Sequence, residues 1–234
     1  ILGTDPLLFS ASTDPTELHV WTWTGIECVA LTTAPGVHSG VGRAGVLVVS
    51  STSLSDDGVA TAVLRDGAGT GRINSFAEPA PFVPNISISK EGDRELRTAL
   101  VLPQSHVAGS RRLPVLMDPY GGPHAQRVVA SRSAYLNAQW LADQGFAVVI
   151  IDGRGTPGRG PAWERAIAGD LATPVLDDQI DALHSLADTN RDLDLTRVAI
   201  RGWSFGGYLA ALAVLRRPDV FHAAVAGAPV TDWR

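Results

Sequence analysis

The chain has 234 residues, 45% of them hydrophobic, and a formal charge of −5. That much apolar sequence can build a core and excludes a disordered chain, and the acidic balance argues against nucleic acid or an anionic membrane surface as partner. Cys28 is the single cysteine, which excludes an intrachain disulfide framework and a cysteine-based metal site; no apolar run approaches the roughly 18–20 residues of a membrane helix. The basic charge is nearly all arginine, with Lys90 the one lysine, a bias that reads as the mark of a GC-rich genome.

Residues 1–80 read as short strands and turns. Segments 7–12, 17–24 and 46–53 alternate apolar and polar residues and are rich in β-branched and aromatic side chains. Gly, Asp and Ser clusters at 55–58 and 66–71 separate strand-like pieces, and nothing there has helical period. A sandwich or propeller blades would fit. Residues 81–95, introduced by Pro79, Pro81 and Pro84 and ending in a charged stretch from Lys90 to Arg94, are expected to be a linker between domains. From about residue 96 strands and helices alternate. Segments 113–118, 146–152, 198–202 and 221–226 are predicted strands, and 134–144, 175–188 and 205–215 are predicted helices. The Val- and Ile-rich run 146–152 suits a strand buried on both faces. Strands separated by helices imply βαβ units and an α/β domain with a mostly parallel sheet.

Gly202-Trp203-Ser204-Phe205-Gly206 matches G-x-S-x-G, between a predicted strand and a predicted helix. The pattern has a physical cause. The chain must reverse sharply there, which forces the serine into a strained conformation. Side chains at positions 202 and 206 would collide with neighbouring backbone. The turn lifts the Ser204 hydroxyl above the sheet at a helix N-terminus, where partial positive charge favours an oxyanion. Ser204 is therefore the candidate nucleophile of an α/β-hydrolase fold.

Around this elbow the sequence resembles the dipeptidyl-peptidase branch of the prolyl oligopeptidase family. The resemblance is carried by Gly202–Tyr208, by Asp118-Pro-Tyr-Gly-Gly-Pro123, by Asp152-Gly-Arg-Gly155 and by Ala228-Pro-Val-Thr-Asp-Trp233, in matching order and spacing, and by a segment from Phe9 to Val20 similar to a late blade of that family's β-propeller. It implies that 1–80 end a β-propeller and that 96–234 begin an α/β-hydrolase domain. It implies roles as well. The Phe205 N–H and the Tyr120 hydroxyl would hold the oxyanion, each such donor supplying about 2.7–4 kcal/mol of transition-state stabilisation. Phe205, Val230 and Trp233 would line an apolar pocket for a small ring-shaped residue such as proline. Asp152 and Arg154 would shape a turn. The expected partner is a peptide substrate, with no metal or organic cofactor, and a homodimer through the hydrolase domain is open.

A serine hydrolase also needs a general base and a group to orient it, in this fold in the order Ser, acid, His. After Ser204 stand only His222, Asp219 and Asp232. His222 begins a strand, at the wrong end of the sheet for a site, and Asp232 is a weak candidate acid. His124 is near Tyr120 and could edge the site. The expectation is that the acid and histidine follow Arg234, that the paired glutamates of the dipeptidyl branch precede Ile1, and that the chain by itself has little activity. Removal of Xaa-Pro or Xaa-Ala dipeptides is the first reading. Acylaminoacyl peptidase, oligopeptidase, carboxylesterase and a non-catalytic scaffold are the others. The Asp-Pro-Tyr-Gly-Gly-Pro loop, where many esterases carry His-Gly-Gly-Gly, favours a peptidase.

Overall fold

The computed structural model describes residues 3–4 and 7–232. Its first compact unit comprises residues 1–83 and 129–134, and its second 84–128 and 135–234.

The first unit holds two four-stranded antiparallel meanders. β1 (Gly3–Thr4), β2 (Leu7–Ala11), β3 (His19–Trp23) and β4 (Cys28–Ala30) form one; β5 (Val37–Arg43), β6 (Val46–Thr52), β7 (Ala60–Arg65) and β8 (Ala68–Ile73) form the other. Two-residue turns close β5–β6 and β7–β8, with positive φ at Ala44 and Gly45 and again at Asp66 and Gly67. That is the twist-matched hairpin geometry that Asp-Gly favours. The stretch 66–71, expected as a turn, is thus a turn at Asp66 and Gly67 and a strand from Ala68. Leu8, Val20 and Val49 are the buried hydrophobics of the two sheets, and a Cβ on Gly42 would come within 2.6 Å of Leu8 Cδ1.

The second unit is built on a six-stranded sheet. It contains β9 (Ile86–Glu91), β10 (Leu96–Val101), β11 (Leu113–Met117), β12 (Ala147–Asp152), β13 (Leu193–Trp203) and β14 (Ala223–Gly227), in the order β14-β13-β11-β12-β10-β9. The four strands β14, β13, β11 and β12 are parallel; β10 runs antiparallel to β12 and to β9. The interval 81–95, expected as a linker, therefore needs correction: residues 86–91 are a strand. β9 pairs with β10 along its whole length, and pairing supplies what a short, half-polar segment lacks by itself.

Four α-helices complete this unit: α1 (Leu136–Ala142), α2 (Pro161–Arg165), α3 (Thr173–Thr189) and α4 (Phe205–Arg216). β12 shows why its sequence is apolar throughout, since every one of its residues is buried. Val149 and Ile151 join the cluster that α3 and α4 supply with Val175, Ile180, Leu183, Leu209 and Ala213. Val148 and Ile150, on the opposite face, are equally buried, and α1 packs on the same strand. A strand covered on both sides has no polar face to present. The architecture is mixed α/β, with helical segments following the carboxyl ends of β11, β12 and β13.

Candidate active site

The quoted motifs all follow the carboxyl ends of parallel strands. Asp118–Pro123 follows β11, Asp152–Gly155 closes β12, Ser204 follows β13, and 228–232 follow β14. Loops at that edge of a parallel sheet are where sites form in such folds.

Ser204 sits between β13 and α4 with φ 56° and ψ −116°, at the N-cap of the helix. A non-glycine residue there stores backbone strain. Three glycines let the turn close. A Cβ on Gly202 would run into the Gly206 backbone, one on Gly206 would lie 2.7 Å from the Pro119 oxygen, and one on Gly207 would strike the Gly227 carbonyl. The Ser204 N–H donates to the Gly227 oxygen at 3.0 Å, which ties the turn to the end of β14. The serine is half-buried, and Trp203 before it is exposed.

The tyrosine loop lies on this elbow. Gly121, at φ 82°, leaves no room for a side chain beside Leu209 of α4, and a Cβ on Gly122 would come within 2.7 Å of the Phe205 ring. Only glycines let this loop settle on the first turn of the helix. The Tyr120 and Phe205 rings are consequently neighbours, 6.1 Å between centroids and tilted by 36°; the Tyr208 ring is also beside Phe205, at 5.6 Å. Phe205 is buried and Tyr120 half-buried. The structure thus brings Ser204, Phe205 and Tyr120 together. Val230 is half-buried, three residues past β14. Trp233 lies outside the described residues.

Carboxylates hold the loops. Asp118 accepts Arg127 Nη2 at 2.9 Å and Arg201 Nε at 3.1 Å. Asp152 accepts the backbone N–H groups of Arg127 and Val128, the latter at 2.7 Å. Burial pushes its carboxyl up to about 6, against the opposing pull of those two N–H groups and of the Arg127 charge. Arg154 is locked to Asp178 on α3 by its Nε at 3.0 Å and Nη2 at 2.8 Å, and Asp178 also receives the Arg154 N–H at 2.6 Å. Both turn residues therefore shape turns. The Asp118 pairing joins groups 83 residues apart, and the sequence pattern gave no signal for it beyond the aspartate that opens the tyrosine motif.

Four of the histidines have other partners. His222, just before β14, accepts the Val198 N–H at 3.1 Å through Nδ1, midway along β13 and six residues before Ser204. His106 Nε2 pairs with Asp192 at 2.8 Å, and His19 and His38 stack on each other in the first unit. His124 is exposed, at φ 71°, and His184 is exposed on α3. Asp232 is exposed. Among the described residues no helix is long and apolar enough to cross a membrane.

A strained serine between strand and helix, with a tyrosine loop packed on the helix's first turn, has the form of a serine-hydrolase nucleophile elbow. Comparison with known proteins narrows the class. The model of the prolyl oligopeptidase family matches residues 132–234 of this chain. Dipeptidyl peptidase 8 of Homo sapiens is 41% identical over 125 residues, 53% of this chain and 14% of that protein. Prolyl endopeptidase FAP of Homo sapiens is 28% identical over 186 residues, 75% of this chain and 24% of that protein. The crystal structure of dipeptidyl peptidase 4 from Porphyromonas gingivalis superimposes with a TM-score of 0.83 at 26% identity, covering 97% of this chain and 34% of that one. The chain thus spans a seventh to a third of the length of these relatives.

Proposed function

We infer that this chain carries the nucleophile and oxyanion groups of a serine peptidase that releases N-terminal Xaa-Pro or Xaa-Ala dipeptides. The observation that carries the inference is Ser204, strained at φ 56° on the turn into α4, with the Tyr120 loop seated on that turn. The fold we propose is an α/β-hydrolase domain from about residue 84, preceded by the last blades of a β-propeller. The six-stranded sheet, in which β10 runs against the other five strands, and the two four-stranded meanders of the first unit support that reading. The likeness to two dipeptidyl peptidases supports the specificity.

In this mechanism Ser204 Oγ attacks the scissile carbonyl carbon, and its proton passes to a histidine supplied by the remainder of the full-length protein. The carbonyl oxygen becomes an oxyanion, held by the Phe205 N–H at the start of α4 and by the Tyr120 hydroxyl. The C–N bond breaks as the histidine returns the proton to the leaving amine, leaving an ester on Ser204. Water, deprotonated by the same histidine, then hydrolyses that ester. Phe205, Val230 and Trp233 are proposed to line the pocket for the residue before the cleaved bond. Apolar walls suit proline's ring, which offers no N–H there.

A second reading, cleavage within a peptide after proline, is favoured by the likeness to a prolyl endopeptidase over 75% of the chain. One experiment on the full-length protein separates the two. Turnover of a Gly-Pro amide with a free amino terminus is expected, with loss of turnover when that amino group is acylated. Equal turnover of the acylated substrate would sink the dipeptidyl reading. Undiminished turnover by Ser204→Ala would sink the serine mechanism altogether.

A further inference from the structure

The Asp118–Arg201 ion pair takes no part in the chemistry just described. Met117 and Ile200 are partners in the parallel register of β11 and β13, so the next residues, Asp118 and Arg201, stand side by side where β11 ends. Arg201 Nε donates to Asp118 Oδ1 at 3.1 Å, and Arg127 Nη2 donates to Oδ2 at 2.9 Å. The carboxylate is 4% exposed, and the two arginine side chains are 33% and 34% exposed. A buried carboxylate persists because it is paired.

The placement is what matters. Asp118 lies two residues before Tyr120, Arg127 closes the same loop, and Arg201 lies three residues before Ser204. One carboxylate thus ties the start and the end of the tyrosine loop to the strand that delivers the nucleophile. Asp152 fixes the loop's exit a second time, through the Arg127 and Val128 amides. Pro119 and Tyr120, next along the chain, press on Gly206. A shift of Asp118 would therefore move the phenol relative to Ser204.

We propose that the Arg201–Asp118 pair is a positioning device that sets Tyr120 against Ser204 for the oxyanion-forming steps. The proposal rests on the serine-peptidase reading of the same site. Oxyanion donors act by being preorganised, and a misplacement of about 1 Å can cost on the order of 10²-fold in rate. An ion pair that served stability alone would not be coupled to one hydroxyl.

The test is a double-mutant cycle on the full-length protein, reading kcat and KM for a Gly-Pro amide. Arg201→Met keeps an apolar stem and removes the charge. The expected result is a fall in kcat of about tenfold, with KM changed by less than about twofold. In a Tyr120→Phe background the same substitution should cost less than about twofold, because the hydroxyl it positions is gone. Arg201→Lys should recover most of the lost kcat. Arg201→Gln, which keeps a neutral donor, goes through the same cycle and decides the matter if Arg201→Met unfolds. Additive losses in the double variant, or an unchanged kcat, would overturn the proposal while leaving an active wild type and the peptidase reading in place. A wild type inert to both substrate and serine-directed probe would bring down both.

Discussion

At the scale of single residues, Tyr120 and Asp152 illustrate two ways in which burial and hydrogen bonding govern chemistry. The Tyr120 ring is fixed against Phe205, so Tyr120→Phe changes one hydroxyl and leaves the packing intact. If that hydroxyl holds the oxyanion, kcat for a Gly-Pro amide falls by roughly 10²- to 10³-fold with little change in KM. A fall confined to KM would place the hydroxyl in substrate binding instead. Asp152 makes a prediction about stability. Its carboxyl is raised by burial from 3.8 to about 6, so the folded state favours the proton more than the unfolded state does. The contribution of this group is full below pH 3.8 and is lost as pH rises through about 6. The loss is at most about 3 kcal/mol, the shift converted at 1.36 kcal/mol per pH unit. Denaturant titrations from pH 3.5 to 7.5 should show wild type losing stability over this window relative to Asp152→Asn, which cannot titrate. A difference between the two that stays flat with pH would refute the assignment.

At the scale of elements, the elbow was legible from its residues because each part has one dominant local cause. Val198 to Gly202 reads as strand, two glycines permit the reversal, and the run from Tyr208 to Leu215 reads as helix; β13 and α4 meet at Ser204 as that pattern requires. β8 and β9 were not legible. β8 has two glycines and is exposed along its length, and β9 follows three prolines with serines at alternate positions. Both are strands because a neighbour offers its hydrogen-bond edge, β7 in one case and β10 in the other, and partners chosen by tertiary structure leave little local trace. The Asp118–Arg201 pair was illegible for the same reason, since only the sheet's register brings them together. One element-scale prediction concerns the junction of α4 and β14. Gly207 faces the Gly227 carbonyl too closely to admit a Cβ, and backbone gives way less readily than a side chain. Gly207→Ala should cost more than about 2 kcal/mol of stability, seen as a lowered midpoint in thermal or denaturant unfolding. Gly145→Ala is the contrast: nothing lies within 4 Å of a Cβ there, and only its φ of 104° opposes the substitution. Equal effects at the two sites would contradict close packing at the elbow.

At the scale of the whole molecule, the chain divides into a two-sheet unit and an α/β unit, and the candidate chemistry lies in the second. Ser204, Phe205 and Tyr120 converge from two strand ends, while His19, His38, His106 and His222 are engaged at other places. The relatives are three to seven times longer than their matched segments, so the proposed activity is tested on the full-length protein. The central claim is that Ser204 is an activated nucleophile. The most direct test treats the full-length protein with a fluorophosphonate probe and maps the adduct by mass spectrometry. One adduct per chain on Ser204, absent from Ser204→Ala and from protein unfolded before treatment, is the predicted result. No adduct on the folded protein, or an adduct on another residue that persists in Ser204→Ala, would contradict it.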